Sequence, residues 1–96
     1  MKNSKGKIIR VEGHTDNVPI HPKLQKTYAT NWDLSSARAS NIVKFLNEKG
    51  NIPGKQLRAV GMGSYHPVAK NSTAKGRKWN RRVEILLIPD PQYKGK

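Results

Sequence analysis

The sequence predicts a small α+β domain in which one helical layer covers a mixed β-sheet. Three segments alternate apolar and polar residues in the pattern of a strand with one covered face. One longer segment carries apolar residues at the spacing of an amphipathic helix. The order strand, helix, strand predicts a right-handed parallel crossover, and the last strand closes the sheet. With 96 residues, the chain is long enough for one such domain with one modest core.

The predicted strands cover residues 7–13, 57–63 and 82–88. In the third strand, Val83, Ile85 and Leu87 share one face, which the covering helix is expected to bury. Arg82 and Glu84 lie on the opposite face, which is expected to be open and charged. The predicted sheet therefore has one apolar and one polar side.

The covering helix is predicted over residues 35–49. Its apolar residues recur at the spacing i, i+3, i+4 and i+7, namely Ala39, Ile42, Val43 and Leu46. Ser35 is the predicted N-cap, and Gly50 is expected to end the helix in the left-handed conformation. These signals place the start of the helix directly after a long connection.

Two long connections, residues 14–33 and 63–80, are predicted to be irregular because neither shows a helical period. The first one leaves the carboxyl end of a strand and reaches the amino end of the helix. Open α/β sheets tend to bind ligands at that edge. The candidate site is therefore expected there.

Composition restricts the possible functions. A net charge of +13 favours anionic partners, which are nucleic acid, a membrane surface, or an acidic polymer or peptide. The absence of cysteine excludes a disulfide framework, a thiolate metal site and a cysteine nucleophile. No apolar run approaches the roughly 18 residues that cross a bilayer. A single domain is predicted over residues 1–96, with a core of about 7–88 and flexible ends.

Arg38 is the first candidate binding residue, because Ser35 as N-cap would place it in the first helical turn. A cation there gives up roughly 0.3–1 kcal/mol against the helix dipole, and an anionic ligand would reverse that sign. The alternative is a surface ion pair with Asp33 or Asp16.

Thr15 and Asp16 directly follow the first strand, so Asp16 is expected near Arg38 at the sheet edge. A carboxylate and a guanidinium a few ångströms apart would hold the amino and carboxylate groups of a zwitterionic amino acid. An Asx turn or a mutual salt bridge explains the pair equally well.

Residues 75–82, KGRKWNRR, mix five cations with Trp79, as single-stranded nucleic-acid sites do. Nucleic-acid binding is therefore the alternative function, and a solvated basic loop is the simpler interpretation. His14, Asp16, His21 and His66 do not follow a metal-ligand spacing, and Ser35, His14 and Asp16 lack a nucleophile-elbow motif. No metal, cofactor or enzymatic activity is expected.

Four ordered motifs resemble the OmpA-like peptidoglycan-binding domain. They are GHTDNVPI (13–20), NWDLSSARA (31–39), LRAVGMGSYHPVAKN (57–71) and GRKWNRRVEI (76–85). The resemblance covers about residues 7–88 and is strongest to the flagellar stator B subunit branch. It implies a β/α/β/α/β/β domain of a longer envelope protein, located in the periplasm, that binds the peptide stem of peptidoglycan without cleaving it.

The resemblance also implies roles for individual residues. Asp16 and Arg38 match the residues that hold the amino and carboxylate groups of diaminopimelate. Further ligand-binding positions implied by the matching motifs are Thr15, Asn31, Leu34 and Ser35, the last two through backbone amides. Asn80, Arg81 and Arg82 match an N-R-R motif that is expected to brace the site.

One departure from the family pattern concerns the amino-terminal side. The family's first strand and helix normally precede the segment that matches Lys7, and six residues precede it in this sequence. The last strand is therefore expected to expose an edge that pairs with another chain. Antiparallel pairing of two such strands would give a two-fold homodimer.

Overall fold

The computed structural model describes residues 6–92. Within that range the chain forms β1 (Lys7–His14), α1 (Asn31–Glu48), β2 (Leu57–Gly61), α2 (Ala74–Asn80) and β3 (Arg82–Pro89), with short 3-10 turns at Pro22–Leu24 and Gly54–Gln56. The predicted flexible ends fall largely on residues 1–5 and 93–96, outside the described residues. Neither α-helix among the described residues combines the length and the apolar character needed to cross a membrane.

The sheet has the strand order β2-β1-β3, with β1 in the centre. β1 runs parallel to β2, pairing Ile9 with Leu57, and antiparallel to β3, pairing Val11 with Ile85. The parallel pair is joined through α1, as expected for a strand–helix–strand crossover. This mixed sheet with its helical layer confirms the predicted fold class.

The core lies between α1 and the β1–β2 half of the sheet. Its buried apolar residues are Ile9, Val11, Ala39, Ile52 and Leu57, and Ile42, Val43, Leu46 and Val83 pack against them. Two glycines allow the helix to approach the carboxyl ends of both strands. A Cβ at Gly13 would lie 2.1 Å from the carbonyl oxygen of Ser35, and one at Gly61 would meet the hydroxyl of Ser36.

The predicted burial of the β3 face is wrong for two of its three residues. Val83 packs against the core, but Ile85 and Leu87 are 56% and 52% exposed. A helix is about 10 Å wide and neighbouring strands lie about 4.8 Å apart, so one helix covers about two strands. Because α1 lies on β1 and β2, the apolar face of β3 extends beyond it.

The helix begins four residues earlier than predicted. Thr30 is the N-cap, and Thr30 and Asp33 form a reciprocal capping box, so the assignment of Ser35 as N-cap is wrong. The Ser35 hydroxyl donates a hydrogen bond to the carbonyl of Trp32 within the helix. Arg38 is consequently the eighth helical residue, too far from the first turn for the dipole argument to apply.

The helix end also differs from the prediction. The residue with a left-handed backbone is Asn51, with a φ of 57°, and not Gly50. Gly50 is required for a different reason, because a Cβ there would lie 2.6 Å from the carbonyl oxygen of Leu46.

The second long connection is not irregular throughout, because it contains α2. The hydroxyl of Thr73 caps this helix by accepting a hydrogen bond from the Gly76 amide at 2.9 Å. Gly76 is buried, and a Cβ there would meet the carbonyl oxygen of Lys70. With seven residues, α2 is too short to produce a recognisable apolar period.

Candidate ligand-binding site

A cavity of about 290 Å³ lies among the connection that follows β1, the first half of α1, and α2 with the residue after it. Its polar lining comes from Thr15, Asp16, His21, Asn31, Arg38, Arg77 and Arg81, and its apolar lining from Val18, Pro19, Ile20, Leu24, Tyr28 and Leu34. The structure thus brings together five of the six residues that the sequence analysis named as ligand-binding, and it adds Arg77 and an apolar wall.

Asp16 is buried at the cavity wall, with 6% of its surface exposed. One carboxylate oxygen lies 2.6 Å from a guanidinium nitrogen of Arg81, and the other accepts a hydrogen bond from the Val18 amide at 3.0 Å. The second contact is the Asx turn considered in the sequence analysis. The ion-pair partner, however, is Arg81 and not Arg38, and these two contacts hold the carboxylate in place.

Arg38 lines the same cavity with a cationic group that remains available. Its guanidinium donates to the carbonyl oxygen of His14 at 3.4 Å, and among residues 6–92 it forms no ion pair. Asp33, one partner considered from the sequence, accepts instead from the backbone and hydroxyl of Thr30. An anionic group in the cavity would therefore meet a guanidinium that is not already neutralised.

Asn31 and Leu34 lie on the same face of α1 as Arg38, because their spacings of three and four residues match the helical repeat. The Asn31 amide donates to the carbonyl oxygens of Asp16 and Val18 at 3.3 and 3.1 Å, which ties the helix to the connection after β1. The backbone amide of Leu34 donates to the Thr30 carbonyl at 3.1 Å. That amide is thus occupied, contrary to its expected role in a ligand cradle.

Thr15 lines the cavity, whereas Ser35 does not. Ser35 is fully buried, and its hydroxyl accepts a hydrogen bond from the Gly63 amide at 3.0 Å. Thr15 reaches the same glycine, since its amide donates to the Gly63 carbonyl at 2.9 Å. Ser35 therefore positions the connection after β2, and the expectation that it contacts the ligand is not supported by its location.

The three residues of the N-R-R motif lie in different surroundings. Asn80 is fully buried and holds the connection before α2, accepting from the amides of Val68 and Ala69 at 2.7 and 3.0 Å. Arg82 is paired with Glu84 on the sheet. Arg81 is part of the cavity itself. Its contact with Asp16 spans 65 positions of sequence, a distance at which local patterns carry no signal.

A separate polar cluster lies on the sheet face opposite α1. Ligand-type atoms of Glu12, His14 and Glu84 come within 4.8 Å of one another. Each carboxylate also binds a guanidinium, Arg10 on Glu12 at 2.8 Å and Arg82 on Glu84 at 2.5 Å. Two cations already balance the two carboxylates, and each ion pair lies within one strand, so we interpret the cluster as a charge network at the seam between β1 and β3.

His14 is the buried member of that network, with 2% of its surface exposed. Burial, and next the charge of Arg82, lower the pKa of His14 below its ordinary value of 6.5. The hydrogen bond from Arg82 lowers the pKa of Glu84. A neutral His14 between charged carboxylates is therefore the state favoured at neutral pH.

The sequence is similar to a known protein family and to individual proteins of known name. Residues 1–81 match the OmpA family. Motility protein B of Bacillus subtilis is 46% identical over 81 residues, covering 84% of this chain and 30% of that protein. The peptidoglycan-binding protein ArfA of Mycobacterium tuberculosis is 35% identical over 79 residues, covering 82% and 22%.

The fold is also found in solved structures. The cell wall anchor of the T6SS from Pseudomonas aeruginosa superimposes with a TM-score of 0.75 and 38% identity, covering 86% of this chain and 55% of that one. The chain spans less than a third of the length of the two relatives above. The similarity therefore concerns one domain of those longer proteins.

Proposed function

Because the chain belongs to the OmpA family, we propose that it binds the peptide stem of peptidoglycan non-covalently. In this role it anchors an envelope or flagellar motor protein to the cell wall, and it acts by binding and not by catalysis. The similarity to the peptidoglycan-binding protein ArfA and to the T6SS cell wall anchor supports the ligand class, and the similarity to Motility protein B supports the flagellar branch. A periplasmic location follows from the ligand.

The observation that carries the proposal is the presence, in one cavity, of a carboxylate and a guanidinium that forms no ion pair among the described residues. Asp16 would accept the ammonium group of diaminopimelate, and Arg38 would bind its carboxylate through paired N–H donors. Thr15 and Asn31 add polar groups to the same lining, and the side chain of Leu34 adds apolar surface for the ligand's methylene chain.

Arg81 adds a second guanidinium to the site formed by Asp16 and Arg38. Its guanidinium neutralises Asp16 in the free protein, so an incoming ammonium group would share or replace it. The displaced guanidinium remains beside the cavity, where it can bind a second carboxylate of the ligand. A zwitterionic ligand with more than one carboxylate suits this arrangement better than a simple cation.

The alternative of nucleic-acid binding through residues 75–82 is not favoured by the contacts of its arginines. Arg77 donates to the carbonyl oxygen of Asn71, Arg81 binds Asp16, and Arg82 binds Glu84. Because these guanidinium groups make contacts within the protein, fewer cations remain to contact the phosphates of a nucleic acid.

The test is a pull-down with purified peptidoglycan sacculi, competed by free diaminopimelate and separately by DNA. Asp16→Asn and Arg38→Ala are each expected to weaken binding by about 2 kcal/mol or more, roughly 30-fold, because each strands a charged ligand group. Arg58→Ala is the matched control, since it removes the same charge from β2, outside the cavity.

Folding of each variant is checked by circular dichroism. Binding that falls steeply between roughly 50 and 200 mM salt, survives Arg38→Ala and is competed by DNA would indicate a general polyanion site instead. If Arg38→Ala bound sacculi as tightly as the parent, the proposed binding of the ligand between Asp16 and Arg38 would be wrong.

A second copy of the chain is the further partner that we propose. Among the described residues β3 pairs with β1 alone, so its outer edge has backbone N–H and C=O groups without a strand beside them. Ile85 and Leu87 add exposed apolar surface next to that edge. Antiparallel pairing of two β3 strands would continue the sheet and place these side chains against their symmetry mates.

A further inference from the structure

An exposed aromatic pair lies outside the cavity. Trp32 and Tyr65 stack with ring centroids 5.2 Å apart and planes inclined by 26°. They nevertheless remain 49% and 66% exposed. One face of the Tyr65 ring is covered by Trp32, so its exposure comes from the other face and the ring edges. The pair therefore presents a flat aromatic surface to the outside.

The position of this surface is determined by Gly63, which has a left-handed backbone with a φ of 63°. A Cβ there would lie 3.2 Å from the Trp32 ring and 3.3 Å from the Tyr65 ring. The Gly63 amide donates to the buried hydroxyl of Ser35, and its carbonyl accepts from the amide of Thr15. The turn that carries Tyr65 is thus bonded both to α1 and to the cavity lining.

The aromatic pair and the cavity lie on neighbouring flanks of α1. Asn31 and Arg38 line the cavity. Trp32 is the next residue after Asn31, so its side chain is rotated from that of Asn31 by about 100° around the helix axis. It lies on the same face as Ser36, which contacts the end of β2. The two surfaces are therefore on adjacent sides of α1, within about one helix diameter, on the order of 10 Å, of each other.

We propose that the outer face of Tyr65, supported by Trp32, binds a sugar ring of the glycan strand while the cavity holds the peptide stem. This inference rests on the proposed function. In peptidoglycan the stem is attached to a sugar of the strand, so a ligand held by Arg38 brings pyranose rings into this neighbourhood. The C–H groups on one face of a pyranose pack against the electron-rich face of an aromatic ring.

The chemistry and size of the surface favour a sugar over a protein partner. Tyrosine and tryptophan combine an apolar ring with a polar tip, and the Tyr65 hydroxyl can hydrogen-bond a sugar hydroxyl. A stable protein interface buries roughly 800 Å² on each partner, far more than one stacked pair supplies. One or two rings match the area of a single pyranose.

The experiment measures two probes with the same variants. The first probe is bare glycan strands prepared by removing the stem peptides from sacculi with an amidase, and the second is free stem peptide containing diaminopimelate. Tyr65→Ala and Trp32→Ala are expected to weaken glycan binding about five- to tenfold and to leave peptide binding within about twofold. Arg38→Ala is expected to weaken binding of the stem peptide and to leave glycan binding within about twofold.

Trp79→Ala is the matched control, because Trp79 is exposed to a similar extent but is not stacked on Tyr65. It is expected to bind both probes like the parent, and Tyr65→Phe is expected to keep most of the glycan affinity through its ring. Failure of the parent to bind bare glycan, or parent-like glycan binding by Tyr65→Ala, would overturn the inference. Failure to bind stem peptide and intact sacculi would instead overturn the proposed function.

Discussion

The two halves of the sheet have similar sequences on the face toward α1 but very different surroundings. In the β1–β2 half, Ile9 and Leu57 are buried beneath the helix. In the β3 half, Ile85 and Leu87 occupy the same face in register with β1 and are more than half exposed. Alternation thus specifies which side chains share a face, whereas burial depends on whether another layer reaches that face.

The two halves are also held together by different forces. Apolar packing beneath α1 stabilises the β1–β2 half. β3 is held by its eight-residue backbone ladder with β1, whereas the ion pairs on the far face lie within single strands, Arg10–Glu12 in β1 and Arg82–Glu84 in β3. The open half therefore relies more on polar contacts than the closed half does.

The largest expected contrast comes from matched truncations in the two halves. Ile9→Ala is expected to lower the free energy of unfolding by about 2–5 kcal/mol, because it leaves a cavity in the core. Ile85→Ala, the same chemical change on an exposed site, is expected to cost less than about 1 kcal/mol. Urea unfolding followed by circular dichroism measures both, and equal losses would show that β3 is covered in solution.

Self-association tests the open edge directly. At about millimolar concentration the parent is expected to form a dimer, since even a weak dissociation constant is then exceeded. Leu87→Lys is expected to restore a monomer by placing a charge on the proposed contact. Val68→Lys adds the same charge at another exposed apolar residue and is expected to behave like the parent.

Analytical ultracentrifugation distinguishes these species. A parent that sediments only as a monomer at that concentration, or an identical loss of association in both lysine variants, would contradict pairing through β3.

A smaller effect is expected from pH, through the charge network at the seam between β1 and β3. Because the pKa of His14 is lowered by folding, the unfolded chain takes up a proton first as the pH falls below about 6.5. Stability is therefore expected to decrease with acidification, by no more than about 1.4 kcal/mol per pH unit for one proton. Below the ordinary Glu84 pKa of 4.5, protonation of that carboxylate adds to the loss.

Unfolding titrations at pH 7, 6 and 5 test this expectation, with His14→Phe as the variant that cannot take up the proton. The variant is expected to show a flatter dependence in that interval. A slope equal to that of the parent would mean that His14 is not the group responsible.

Prediction from sequence succeeded where the signal was local. The strands near Ile9 and Val83 and the apolar stripe of α1 were evident from periodicity, because each pattern repeats within a few residues. The start of α1 was misplaced because Ser35 and Thr30 both have N-cap side chains, and the partner Asp33 decides between them. α2 was missed because a helix of two turns carries almost no period.

In the site, too, the local features could be predicted from the sequence and the long-range contacts could not. Asp16 was placed at the sheet edge because it directly follows a strand, and Arg38 because it lies on the helix that begins there. The ion pair between Asp16 and Arg81 and the aromatic surface of Trp32 and Tyr65 join segments that are far apart in sequence. No local pattern encodes such contacts.

The sequence by itself determined the elements, the net charge, the family motifs and the residue types available at the end of β1. The tertiary structure alone decided that α1 covers two of the three described strands and that Ser35 faces the interior. It also decided that Arg81, and not Arg38, is the ion-pair partner of Asp16. The physical reason is that hydrogen-bond periodicity and side-chain alternation act over a few residues. Coverage and ion pairing depend on which distant surfaces meet once the chain has packed.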